Sequence, residues 1–189
     1  MEILLEIDTT CFHFINRMFS NPAFDIIMPL FHHTKYFIPL LLLPWLLAIF
    51  YDKANRWKLA IIIPLTIILV DQSGVWIKKA VLRPRPWVTI DPEIINHLVE
   101  PSGAYLSFPS NHAANNAALA AVFSSVYRHL RFIFWGLAIT VMFSRVYIGV
   151  HYPLDVISGC ILGSCYGLIL VKGWNFFNKV PPVKPEESF

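Results

Sequence analysis

The sequence predicts an all-α integral-membrane bundle of about five to six transmembrane helices, with an N-terminal amphipathic helix lying in the membrane interface. Hydrophobic residues make up 56% of the 189-residue chain and charged residues only 14%, against roughly 25% charged in a soluble domain. The apolar residues fall into runs that approach or exceed the about 20 residues a helix needs to cross a bilayer. Polar and charged residues gather between those runs. The net charge of +3 is too small to argue for a nucleic-acid partner. Met1-Glu2 does not resemble a cleavable leader, because no basic segment precedes the first apolar residues. Cys11, Cys160 and Cys165 lack metal or redox spacing and read as packing residues.

A single membrane-embedded domain is expected over 1–189, with interfacial helices over 1–34, a bundle over 36–171 and a cytoplasmic tail over 172–189. Leu4, Ile7, Cys11, Phe14 or Ile15, and Met18 recur at helical spacing, while Glu2, Glu6, Asp8 and Arg17 lie elsewhere. This is the pattern of a helix lying on a membrane. Asn21-Pro22 breaks it, and 23–34 is too short to span alone. The adjacent His32 and His33 fall on different helix faces and read as interfacial polar residues.

Five spans are expected: Tyr36–Tyr51, Trp57–Leu82, Ser110–Tyr127, Phe132–Tyr147 and Pro153–Val171. The second is the longest, so its end carries Lys78, Lys79 and Arg83 beyond the hydrocarbon. Asp71, two turns before Lys78 on the same face, either orients a cation of the site or pairs within the bundle, and the structural role is favoured. The third span is rich in Ala and Asn. The fifth carries Gly159, Gly163 and Gly167, a doubled GxxxG row that lets another helix approach closely. The 84–109 loop carries an expected short helix at Pro92–Val99. Lys53, Arg56, Lys58, Arg128, Arg131, Lys172, Lys179 and Lys184 fall on one side of this topology. By the excess of basic residues in cytoplasmic connections they belong inside, and the 84–109 loop and the 144–155 break face outward.

The break Ser144–Asp155 places a guanidinium, an imidazole and a carboxylate between two apolar runs, where charge is costly. Pro153 suits the first position of a new helix, which puts Asp155 in its first turn, within reach of the His151 ring. An imidazole so oriented serves as nucleophile or base, and Arg145 offers a planar fork for phosphate. The competing reading is a capped helix with Arg145 reaching lipid headgroups. Two other pieces reach the same face. The second span ends near Lys78 and Arg85-Pro86. The third opens with Phe108-Pro109-Ser110-Asn111-His112, where Ser110 suits the N-cap and the free N–H groups behind it suit an anion. Cations and two helix N-termini aimed at one patch call for a counter-anion, most simply phosphate.

Lys78 followed after six residues by Arg85-Pro86, then Pro109-Ser110-Asn111-His112, then Ser144-Arg145 with His151 and Asp155 at fixed intervals, resembles the three-part signature of the type-2 phosphatidic acid phosphatase superfamily. Vanadium haloperoxidases and glucose-6-phosphatase also belong to it. The resemblance covers about 78–155, in the expected order. One departure is Asn111, where the usual pattern has Gly. The backbone N–H survives that change, so phosphate contact stays available; an Asn there either crowds the pocket or adds a side-chain donor, and bears on fine geometry and substrate range more than on the chemistry.

The resemblance implies that His151 attacks phosphorus to form a phosphohistidine, that Asp155 orients it, and that His112 protonates the leaving oxygen and then activates water. It implies that Lys78, Arg85, Ser110, Asn111 and Arg145 hold the phosphate, with no metal and no cofactor. Lys79 and Arg83 read as headgroup contacts. Asn115 and Asn116 read as bonds between helices, with one of them a candidate to line the pocket, and Tyr147 and Tyr152 read as interfacial anchors. The expected partners are the bilayer and a membrane lipid phosphate: undecaprenyl diphosphate, the lipid A 1-phosphate, phosphatidylglycerol phosphate or phosphatidic acid. The expected location is the cytoplasmic membrane, with the site toward the periplasm or exterior. The alternative is a noncatalytic lipid-binding or transport protein.

Overall fold

A computed structural model describes residues 2–32, 34–100 and 105–178. The expectations for His33, Lys179 and Lys184 lie outside the described residues. The described chain is helical: α1 Glu2–His13, α2 Pro22–Ile27, α3 Thr34–Tyr51, α4 Arg56–Val81, α5 Pro86–Thr89, α6 Asn111–Val126, α7 Arg131–Tyr147 and α8 Pro153–Phe177. A π turn, Phe14–Met18, prolongs α1, and a 3₁₀ turn, Met28–Phe31, prolongs α2. Asn21 starts α2 by accepting the Ala23 and Phe24 amides, with Pro22 in the first turn.

Helix α6 is the axis of the bundle. Its Ala113, Ala114, Ala117, Ala118, Ala120 and Ala121 are all buried, and α8 packs directly on it. The glycine row is the reason. A Cβ at Gly163 would stand 1.8 Å from the Ala114 carbonyl oxygen, and one at Gly159 would stand 2.4 Å from that of Ser110. The expected close helix partner is therefore α6.

The outside of the molecule is apolar. Trp57, Ile68, Trp76, Phe132, Ile139, Ile161 and Ile169 are exposed, as lipid-facing residues are. Among the described residues, three segments are long and apolar enough to cross a membrane alone: Arg56–Val81, Arg128–Tyr147 and Pro153–Phe177. Helix α3 has 18 residues and α6 has 16, and α6 is enclosed by its neighbours.

Helix α1 inverts the arrangement of a soluble amphipathic helix. Its apolar stripe, including Leu4, Ile7, Phe14 and Met18, is exposed, while Asp8, Phe12 and Asn16 face inward. Asn16 donates to the carbonyls of Asn96 (2.9 Å) and Tyr147 (2.7 Å) and accepts the Asn96 amide. That tie holds residues around Asn96 out of a helix. The expected helix at Pro92–Val99 is absent, and the short helix of this loop is α5, where Pro86 follows an extended Arg85.

Candidate active site

Four helix ends converge: the C-termini of α4 and α7 and the N-termini of α6 and α8. Each local turn delivers one functional side chain. Helix α4 ends at Leu82 in the left-handed region (φ 55°). The chain from Arg83 to Arg85 then runs antiparallel to Tyr105–Ser107, with Arg85 N donating to Tyr105 O and Ser107 N to Arg83 O. This turns Arg85 back over the bundle. Helix α7 ends in a turn through Gly149 (φ 79°), where only glycine is unstrained. Val150 N and His151 N both donate to the Arg145 carbonyl at 3.2 Å, which sets the histidine beside the arginine.

Helix α8 opens as expected, with Tyr152 at the N-cap and Pro153 in the first turn. Asp155 Oδ2 accepts the Tyr152 amide at 2.8 Å and faces His151 Nδ1 at 3.4 Å. One carboxylate thus starts the helix and orients the imidazole. Ser110 caps α6 by accepting the Ala113 amide, and its own N–H donates to the Asp155 carbonyl at 2.9 Å. The N-termini of α6 and α8 are thereby locked together.

The innermost polar groups are sealed from water, while Lys78, Arg85 and His112 are half-buried. Arg145, Asp155 and Ser110 are fully buried, and His151 is 2% exposed. Arg145 donates from NH2 to Ser144 Oγ, which is itself held by Met28 O, and from NH1 toward His32 Nδ1 at 3.0 Å. Its Nε is buried without a partner among the described residues. Lys78 donates to the carbonyls of Ser107 and Pro109, and Arg85 to those of Leu106 and Val150. His112 lies within electrostatic reach of Arg145, His151 and Arg85. Burial, followed by the charges of Arg85 and Lys78, pushes the His151 imidazole down to about 4 against the opposing pull of Asp155. At neutral pH the ring is uncharged and its lone pair is available.

Residues 56–179 match the PAP2 superfamily. The chain is 31% identical to the lipid A 4'-phosphatase of Bacteroides thetaiotaomicron, over 94% of its own length and 78% of the relative's. The chain belongs to the PAP2 superfamily. Among solved structures, Aquifex aeolicus LpxE superposes with a TM-score of 0.68 at 26% identity, covering 88% of this chain and 95% of that one. The PAP2 type phosphatidylglycerolphosphate phosphatase of Bacillus subtilis superposes at 0.69, covering 97% and 90%, and at 21% identity it shows a shared fold. A PAP2 membrane helical bundle is thus the fold of this protein.

Several residues of this PAP2 chain sit differently from expectation. Arg83 is no headgroup contact. It bridges Asp155 Oδ1 at 2.8 Å and Asp8 Oδ2 at 2.5 Å, with its guanidinium 4.1 Å from the Tyr152 ring centre. Tyr147 and Tyr152 are buried rather than interfacial. The Tyr147 hydroxyl donates to Asp25, and the Tyr152 ring packs against Phe12. His32 lies in the site, stacked at 6.2 Å on His112. The Asn111 side chain is turned toward α4. It donates to Asp71 at 3.0 Å and packs on Gly74, whose missing side chain makes the room. Asn115 donates to the same Asp71 oxygen, so the structural reading of Asp71 describes those two bonds.

Proposed function

We propose that the protein hydrolyses a phosphate or diphosphate group from a membrane lipid through a phosphohistidine intermediate. His151 Nε2 attacks phosphorus, forming the N–P bond as the bond to the leaving oxygen breaks. Asp155 fixes the proton on Nδ1 and stabilises the charge that develops on the ring. His112 donates its proton to the leaving oxygen, then takes one from the water that cleaves the N–P bond, releasing phosphate and restoring the free imidazole. Arg145, Arg85 and Lys78, with Ser110 and the backbone N–H groups of Asn111 and His112, hold the nonbridging oxygens. The observation that carries this reading is the buried Arg145, whose Nε has no acceptor among the described residues. A buried guanidinium donor without a partner is costly, and a phosphate oxygen supplies what is missing.

The lipid substrate is supported by the apolar exterior and by the relative that acts on lipid A. An envelope lipid is the best match: lipid A, undecaprenyl diphosphate or phosphatidylglycerol phosphate. With the five expected spans, the distribution of basic residues supports a cytoplasmic-membrane location and an outward-facing site. Arg56, Arg128, Arg131 and Lys172 lie near the helix ends opposite the site, where the positive-inside rule puts the cytoplasm. The test is phosphate release by the purified protein in detergent micelles from each of these lipids. Release is expected, inhibited by vanadate and insensitive to EDTA. Loss in EDTA that a divalent ion restores overturns the metal-free mechanism.

Asp8 ties α1 to this machinery, accepting from Arg83 and from the Leu154 amide at 2.8 Å. Residues that orient catalytic groups typically cost about 10- to 100-fold when lost. Asp8→Ala is expected to lower kcat in that range with little change in KM. Unaltered kcat would mean that α1 only covers the site.

A further inference from the structure

A chamber of about 340 Å³ lies beside His112, bounded by α3, α4 and the first turns of α6. The reading above, on which the following rests, makes His112 the acid for the leaving oxygen. An in-line displacement places that oxygen opposite the attacking nitrogen, so the alcohol released from phosphate stands on the His112 side, where this chamber is.

The polar part of its wall is rich in acceptors. Asp71, Asn111, Asn115 and Asn116 line it. Both Asn111 and Asn115 donate to Asp71 Oδ1, and among the described residues no donor reaches Oδ2. Asn115 Oδ1 is buried with no partner among the described residues. Asn116 spends its amide on the His112 carbonyl, at 2.9 Å. Among the residues whose side chains the structure describes, no cation lies within ion-pair distance of Asp71. A buried acceptor left unmatched is costly, and a carboxylate repels a second phosphate. The wall suits a neutral group that brings donors.

The chamber continues into an apolar groove between α3 and α4. Ile38, Leu41, Ile67 and Leu119 line both, and beyond them the groove of about 390 Å³ is walled by Trp45, Ile63 and Pro64. Phosphate cradle, acceptor-lined chamber and apolar groove follow in the order of the parts of an amphiphile.

We propose that this chamber is a specificity subsite in which Asp71 and Asn115 accept hydrogen bonds from hydroxyl or amide N–H groups of a sugar headgroup that carries the scissile phosphate, with its acyl chain in the α3/α4 groove. The preferred substrate is therefore a phosphorylated glycolipid. A polyprenyl diphosphate has no donors to offer there, and its second phosphate would face Asp71.

The test is kcat/KM for phosphate release from lipid A and from undecaprenyl diphosphate, in wild type, Asp71→Asn and Asn115→Leu, with thermal unfolding in detergent as a control. Asp71→Asn is nearly isosteric and keeps an acceptor for the two asparagines while turning Oδ2 into a donor. The wild type is expected to prefer lipid A at least about tenfold, well below the ~10⁴-fold that a site built to bond a substrate hydroxyl can reach. Each variant is expected to reduce that preference about tenfold. A wild type without preference, or one favouring the prenyl lipid, overturns the subsite while leaving the phosphatase intact. So does an equal loss on both substrates, the mark of a purely structural role. Should Asp71→Asn fail to fold, the wild-type preference and Asn115→Leu still decide. No release from any lipid overturns the phosphatase reading itself, and the subsite with it.

Discussion

His151→Ala is expected to reduce the rate of lipid phosphate release by about 10⁴-fold or more, the scale on which removal of a catalytic nucleophile acts. The measurement is phosphate release in micelles, paired with acid-quench trapping of labelled phosphoprotein, which should vanish in the variant. Equal release by wild type and variant would leave only a lipid-binding protein with a cationic pocket. Asp155→Asn tests the orientation. Asp155 Oδ2 holds both the His151 ring and the Tyr152 amide, so the amide substitution disturbs the tautomer and the start of α8 together. The pH profile follows from burial. With the His151 ring held down to about 4, it stays neutral far below the ordinary histidine range near 6.5. The acid limb that this residue sets for kcat/KM is expected nearer 4 than 6.5. Stability moves in the same window with a defined sign. Between about 6.5 and 4 the unfolded chain binds a proton at this residue that the folded chain does not. This contribution to stability falls as pH drops through that range and changes no further below it.

The parts of the site that the sequence reveals are those governed by local rules. Pro153 followed by an acid at the third position, and Ser110 before an Ala-rich run, announce helix starts whose caps the structure contains. A glycine row at four-residue spacing announces a close helix neighbour. What local rules leave out is set by tertiary contact in an environment whose burial logic is inverted. Apolar periodicity finds the face of α1 that is exposed and passes over Asp8, Phe12 and Asn16, the face that is buried. Asp8 is one of three acids in α1, with Glu2 and Glu6, and no spacing sets it apart from them. Arg83 lies 72 residues from Asp155 and 75 from Asp8, separations at which no sequence interval indicates pairing. His32 reaches Arg145 only because Ser144 anchors the turn at Met28. Asn111 is explained by Gly74, one α4 position whose missing side chain leaves room for the amide.

Gly163→Ala is expected to destabilise the protein by about 3 kcal/mol, the upper part of the range for overpacking a close contact, and Gly163→Leu to prevent folding. The contact has no flexible partner. The added Cβ would meet the backbone of Ala114, at 1.8 Å from its oxygen and 2.6 Å from its carbonyl carbon, so a side-chain rotation cannot relieve it. The helices must separate or shift along one another. Either movement acts on the site, because Ser110 and Asp155, joined at 2.9 Å through the backbone, lie at the α6 and α8 ends of the same seam. A helix separated at Gly163 therefore loses the register between the Ser110 cap and the His151–Asp155 pair, and phosphate release should fall in the alanine variant even at temperatures where it remains folded. Gly173 is the internal control. It lies on the same helix with nothing within 4 Å of a Cβ, and Gly173→Ala should be neutral or raise stability by up to about 1 kcal/mol through helix propensity. Thermal unfolding in detergent distinguishes the two. Equal behaviour of the variants would show that the α6–α8 contact is not what holds the two motif-bearing helix ends together.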